Sequence, residues 1–244
     1  MKRLLICDFD GTLYRKGEQR QFDRILSLVQ QERIPFAVAS GRPWHMLRPF
    51  FESILDRVFL ISNDGALVTR GEQILYANPI DQTKLNQLCL QTSGDFVAYG
   101  QLLSYLKISG LADQIRWRKT FRQHTVKINS LEEIIEPIYK IFFMKPVDCP
   151  SFLTPTYDQF GVIEFAAKGT DKAAALRWLA EQEGVKLQNC YAFGDGINDV
   201  CIFDIVGHSA AMVQSLPKVK HRADKICVNL YEDIATIFQR GDCQ

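Results

Sequence analysis

The chain has 244 residues, long enough for one large domain or two smaller ones, which excludes a miniature fold held by disulfides. Its 47% apolar content is ordinary for a globular protein, and no run approaches the ~18 apolar residues of a membrane span. Lys plus Arg (29) balances Asp plus Glu (28), a net charge of +1 that argues against a dedicated nucleic-acid binder and leaves room for a local anion site.

Residues 4–7 form a short continuous apolar run, the pattern of a strand buried on both faces. The run stops at Asp8, too soon for a signal-peptide core. Phe22, Ile25, Leu26 and Val29 recur at helical spacing. Residues 35–39 read as the next strand. Pro43 then suits the first turn of a helix running to about Ile54. A third strand is expected at 58–61, and a hairpin at 66–69 and 73–77 around Arg70-Gly71-Glu72. The stretch from 79 to 161 mixes a helix (82–90), short strands such as 96–99, and the apolar run 138–144. Pro146, Pro150 and Pro155 crowd its far end. An Ala-rich helix follows at 172–183, stopped by Gly184. Strands are expected at 189–193 and 226–228.

Strands alternating with helices at both ends predict an α/β fold, a doubly wound parallel sheet of Rossmann-like type. The irregular middle reads as an inserted α+β domain. The boundaries are then 1–78 for the first part of the core, 79–160 for the insertion and 161–244 for the second part of the core. Seven scattered cysteines with no C-x-x-C pair form neither a disulfide framework nor a zinc site, which points to a reducing, cytoplasmic setting.

The chemistry concentrates at strand ends. Asp8-Phe9-Asp10-Gly11-Thr12 follows the first strand, and backbone alternation sends Asp8 and Asp10 to one side. Two carboxylates at the carboxyl edge of a parallel strand lie where open α/β sheets bind ligands. They repel unless a cation or proton intervenes. Alone, the pair reads equally well as a solvated strand end. A second cluster, Gly194-Asp195-Gly196-Ile197-Asn198-Asp199, follows another short strand and opens a helix. Such a turn can be a simple helix cap. Two such clusters with no His or Cys nearby favour carboxylate ligation of a hard cation such as Mg²⁺. Ser40-Gly41-Arg42 joins a hydroxyl, a glycine and a helix start, which suits a phosphate but also an ordinary turn. Lys172 opens the Ala-rich helix, where a lysine opposes the helix dipole. Neutralising a phosphate would explain it, as would simple solvation.

In order and spacing these four pieces resemble the motifs of the haloacid dehalogenase superfamily. The G-D-G-x-N-D form is similar to that of the Cof-type, subclass IIB hydrolases, which carry a large α+β cap between the second and third motifs. Ser40-Gly41-Arg42, residues 61–66 and the tail Ala211-Met212 to Ala223-Asp224 resemble that branch as well. Lys172 fits the family's lysine register better than Lys168. Ala173, Val213-Gln214-Ser215 and Glu232-Asp233-Ile234 depart from the family's usual residues.

The resemblance implies a Mg²⁺-dependent phosphatase of a small phosphorylated metabolite, a sugar phosphate or phosphorylated cofactor, with no nucleic-acid or membrane partner. It implies that Asp8 is the nucleophile and forms an aspartyl-phosphate. Asp10 would be the general acid and base. The metal contacts would be Asp8, the backbone carbonyl of Asp10, Asp195 and Asp199. The phosphoryl oxygens would be held by Ser40, the backbone N–H groups of Phe9 and Gly41, Lys172 and Asn198. The cap would exclude water and select the leaving group.

Rival readings are a phosphomutase using the same acids, a dehalogenase, a receiver-like signalling domain and a non-catalytic binding protein with a relic site. A dehalogenase needs neither a metal nor a second acid, and receivers are about half this length without a cap. Outside the motifs, His45, His124, His208 and His221 need no catalytic role. The basic stretch 116–119 with Arg122 reads as a solvated face, with an anion contact as the alternative. Trp44 either lines the entrance or anchors its helix.

Overall fold

The computed structural model describes residues 2–32, 34–92, 94–110, 124–157 and 163–239. Strand β1 (Leu4–Asp8) is buried along its whole length, as its unbroken apolar run requires. Helix α1 (Gln19–Gln31) buries Phe22, Ile25, Leu26 and Val29, the four residues at helical spacing. Strands β2 (Phe36–Ala39) and β3 (Val58–Ser62) are likewise fully buried. Strands β4 (Leu67–Arg70) and β5 (Gln73–Ala77) form the expected hairpin.

Between β2 and β3 the single helix expected from Pro43 is broken. Pro43 sits at the cap of a short α2 (Trp44–Leu47), and 3₁₀ turns continue over Arg48–Arg57, interrupted at Ile54. Pro49 supplies the reason: it lacks the N–H that would bond back to the carbonyl of His45. Trp44 is an anchor, since it is buried and its Nε1 donates to Thr69 Oγ1 at 2.9 Å.

After the inserted segment come helix α4 (Lys172–Gln182), strand β12 (Cys190–Gly194), helix α5 (Val200–Phe203) and strand β13 (His208–Met212). Helix α6 (Pro217–Lys220), strand β14 (Lys225–Cys227) and helix α7 (Leu230–Gln239) complete the core. The core sheet has the order β14-β13-β12-β1-β2-β3-β4-β5. It is parallel from β14 to β3 and antiparallel at the hairpin. One face packs Leu5, Cys7, Phe36 and Val38 against α1 and α7. The other packs Leu4, Ile6, Ala37 and Ala39 against Ala175, Leu176 and Leu179 of α4. Each fully buried Leu, Ile, Val or Phe among these contributes roughly 1.5–3 kcal/mol, and each Ala less. This is a doubly wound α/β core. The chain runs outward from β1 to β3 on one side and from β12 to β14 on the other. The crevice at the carboxyl ends of β1 and β12 is therefore the topological switch point.

The inserted segment contains helix α3 (Gln82–Thr92) and strands β6 (Phe96–Tyr99), β7 (Ser104–Lys107), β8 (Thr125–Lys127), β9 (Lys140–Phe143), β10 (Leu153–Tyr157) and β11 (Ile163–Ala167). They form a second sheet ordered β10-β11-β9-β6-β7-β8. Leu85 and Cys89 of α3 pack on one face, against Phe96, Ala98, Ile141 and Phe165. Strand β11 belongs to this sheet, with Phe165 opposite Ile141 and Ala166 opposite Lys140. The chain thus rejoins the core after Ala167, later than residue 161, because strand pairing rather than proline content closes the inserted sheet. The basic stretch 116–119 and Arg122 lie outside the described residues.

Candidate active site

Four loops meet at the switch point. The first follows β1. Gly11 adopts φ +84°, and a Cβ there would come within 2.2 Å of Asp195 Oδ2, so only glycine lets the two acidic loops approach. Thr12 Oγ1 donates to Asp195 Oδ1 at 3.3 Å across the same gap. The second loop follows β2, where Ser40 is buried and its Oγ accepts from the Arg42 N–H at 3.1 Å. The third opens α4. Asp171 caps the helix by accepting from the Ala174 N–H at 2.6 Å, and Lys172 takes the first helical position. The fourth follows β12, where the N–H groups of Asp195 and Gly196 donate to Asp199 Oδ2 at 3.0 and 2.9 Å.

Asp8, Asp195 and Asp199 each bring a carboxylate oxygen within 4.8 Å of the others. Lys172, almost wholly buried, donates to Asp8 Oδ1 at 2.8 Å and to Asp199 Oδ1 at 2.7 Å. Its unfavourable place at a helix start is thus offset by two buried anions. Burial alone would lower the Lys172 pKa, but Asp199, Asp8 and Asp64 outweigh it and hold the ammonium firmly protonated. Asp8 stays well above the ordinary carboxylate range. Burial and then the charge of Asp199 push it up, and Lys172 only partly compensates. Burial and Asp199 raise Asp195 too. The cluster is therefore short of positive charge, and all its donors are oxygens. That fits a hard divalent cation such as Mg²⁺, held by Asp8, Asp195 and Asp199.

The remaining expected residues surround this cluster. The Phe9 ring is buried, stacked on Tyr14 at 5.3 Å and against Phe50 at 4.8 Å, so its backbone is the part that belongs to the loop. Asn198 Nδ2 donates to Asp64 Oδ1 at 3.4 Å. Asp10 lies outside the three-acid cluster. Arg42 grips both of its oxygens, Nε to Oδ2 at 2.7 Å and Nη2 to Oδ1 at 2.6 Å. The fork joins the first motif to the second.

Arg42 and Asp64 belong to stretches singled out above, but neither was assigned a part. Lys140 and Glu164 lie in the inserted segment and were missed. Lys140 Nζ reaches Gly41 O at 2.6 Å, Asp64 Oδ2 at 3.2 Å and Glu164 Oε2 at 2.5 Å. A usable signal was present: a lysine interrupts the apolar run 138–144, where a buried charge needs partners.

Carboxylates with a buried lysine at the switch point of a doubly wound sheet, beneath an inserted cap, define a divalent-cation-dependent phosphatase. The chain matches the haloacid dehalogenase-like hydrolase family over residues 5–234 and belongs to it. YkrA of Bacillus subtilis is 24% identical, over 95% of this chain and 94% of its own. SMU.1108c from Streptococcus mutans superposes with a TM-score of 0.81 at 22% identity, covering 98% of this chain and 99% of that one. The subclass IIB sugar phosphatase BT4131 superposes with a TM-score of 0.73 at 18% identity, covering 98% and 99%. The fold is that of the Cof-type, subclass IIB phosphatases.

Proposed function

We propose that this enzyme hydrolyses a small phosphorylated metabolite, a sugar phosphate or a phosphorylated cofactor, through an aspartyl-phosphate on Asp8. The observation that carries this reading is the cluster of Asp8, Asp195 and Asp199 around Lys172. When bound, Mg²⁺ supplies positive charge that screens the carboxylates from an incoming phosphate dianion. Asp8 attacks phosphorus in line, and the bond to the leaving oxygen breaks. Asp10 gives that oxygen a proton. Asp10 then takes a proton from the water that attacks phosphorus and releases Asp8. Each Asp10 oxygen accepts one hydrogen bond from Arg42, which leaves a lone pair on each through which a proton can pass. Lys172, Ser40, Asn198 and the N–H groups of Phe9 and Gly41 hold the phosphoryl oxygens, and their task is positioning and charge stabilisation.

The inserted unit, from about residue 79 to Ala167, acts as the cap that excludes water and selects the leaving group. A sugar phosphatase with the same architecture supports sugar phosphates as the first class to test. No helix among the described residues is long and apolar enough to cross a membrane. The six described cysteines are free, in keeping with the proposed cytoplasmic setting. The deciding experiment is phosphate release from a panel of phosphorylated metabolites, with Mg²⁺ and with excess chelator. Metal-dependent release from one substrate class is expected. Absence of release from every member, or release that survives the chelator, overturns the proposal.

A further inference from the structure

Lys140 stands on a strand of the inserted sheet, yet two of its three partners belong to the core. Its side chain is almost wholly buried, and a lysine is rarely so unless paired. An ammonium has three donors, and here three acceptors meet it: Gly41 O, Asp64 Oδ2 and Glu164 Oε2. The Tyr99 ring lies 5.6 Å from Nζ and covers it further. Glu164 comes from β11, beside β9 in the same sheet, so Lys140 keeps one partner on its own domain.

The two core acceptors lie in loops that are already joined. The Asn63 N–H donates to Arg42 O at 2.9 Å, and the Asp64 N–H donates to Ser40 O at 3.0 Å. Asn63 and Asp64 both adopt left-handed conformations, φ +51° and +55°, which cost energy for non-glycine residues and persist only when neighbours hold them. Asp64 uses its other oxygen to accept from Asn198. Gly41 stands between Ser40 and Arg42, the residue that grips Asp10. One ammonium of the inserted domain therefore fastens the loop carrying Ser40 and the loop carrying Asp64, and through Asp64 it reaches Asn198.

We infer that Lys140 is a positioning residue: closure of the cap brings its ammonium onto Gly41 and Asp64, and this sets the phosphate-holding loops in their working geometry. Turnover is thereby tied to a closed cap, because an open cap carries Lys140 and Glu164 away together and leaves the strained loop unclamped. The inference rests on the phosphatase reading. A second buried contact between the domains provides a contrast. His45 of α2 meets Gln101 O at 3.1 Å through Nδ1 and Ser104 Oγ at 3.0 Å through Nε2, so both ring nitrogens are bonded to the inserted domain and to neither loop.

The test compares Lys140→Met with His45→Gln in the full chain. Lys140→Met should lower kcat about 10²-fold, the scale of a small misplacement of catalytic groups, with little change in KM. Amide exchange over residues 61–66 should quicken in the same variant. His45→Gln removes a domain contact without touching the clamp, so it should change neither readout to that extent. Asp64→Asn keeps the shape and removes one charge of the clamp. It serves where Lys140→Met does not fold, and should also lower kcat and quicken exchange. Unchanged kcat with a raised KM would make Lys140 a substrate contact and overturn the inference. Equal losses in Lys140→Met and His45→Gln would also overturn it, since cap docking alone would then suffice. Failure of the wild type to release phosphate overturns the phosphatase reading instead, and the exchange comparison still decides whether Lys140 holds the loops.

Discussion

Lys172 and Lys140 are both buried and each meets two carboxylates, but they sit in opposite kinds of surroundings. Around Lys172 the acids outnumber the cation. Asp8 and Asp199 touch it, Asp195 lies beside them, and burial with mutual repulsion lifts Asp8 and Asp195 above the carboxylate range. Around Lys140 only two acids share the ammonium, and one of them, Asp64, also feels Lys172. Burial by itself would raise Asp64, but Lys140 and then Lys172 hold it below its ordinary value. Equal burial thus produces a site with capacity for a cation in one place and a closed clamp in the other. The local count of charges decides which.

The contrast can be broken most severely at the nucleophile. Asp8→Asn should lower phosphate release by at least about 10⁴-fold, the scale of losing a nucleophile, with the fold retained by circular dichroism. Hydrolysis at the native rate would end the proposed mechanism. Asp10→Asn comes next, with a loss of roughly 10²–10⁴-fold, the usual scale of acid–base catalysis. An equal rate with both an activated and an unactivated leaving group would remove Asp10 from that part.

The shortage of charge around Lys172 can be measured without turnover. Mg²⁺ at a hundredfold excess over its Kd should stabilise the protein by about 2.7 kcal/mol, read as a raised Tm that chelator reverses. The sign of the pH effect follows from the raised acids. Asp8 and Asp195 bind a proton more tightly in the fold than their ordinary 3.8, so their favourable contribution is present below that value. It is lost as pH rises through the folded values. A proton then does part of the work of the cation, so the Mg²⁺-induced rise in Tm should shrink as the solution is acidified. A rise independent of pH would argue that the metal binds elsewhere.

The smallest effect is a slope rather than a loss. Burial pushes His45 down from 6.5 to about 4, so it docks the cap as a neutral ring. The stability this provides is present above 6.5 and is lost as pH falls toward about 4. His45→Gln should flatten the pH dependence of Tm in that window, and an unchanged slope would show that the ring titrates freely.

Much of the core was legible in the residues. Strand β1 and helix α1 announced themselves because an unbroken apolar run and a 3.6-residue period follow directly from burial on two faces or one. Asp8, Asp195 and Lys172 were legible because chemistry at strand ends follows local rules of turn and helix start. Strand β13 was not singled out, since His208-Ser209-Ala210-Ala211-Met212 carries no strong alternation and is a strand through its pairing with β12 and β14. The break after α2 was overlooked although Pro49 marked it. The end of the inserted sheet was placed too early, because β11 belongs there by pairing with β9 and β10 alone.

The sequence by itself determined the α/β class and the four acidic, hydroxyl and lysine motifs, because each depends on residues near one another along the chain, and it indicated hard-cation chemistry through the donor types of two separate acidic motifs. Tertiary structure decided the rest. Arg42 became the partner of Asp10 across 32 positions, and Lys140 met Gly41 and Asp64 across 99 and 76. No period or local motif encodes such distances. The first arises when β1 and β2 pair side by side in the core sheet; the other two arise when the inserted sheet docks on the core and a buried charge must find its partners in the loops brought within reach.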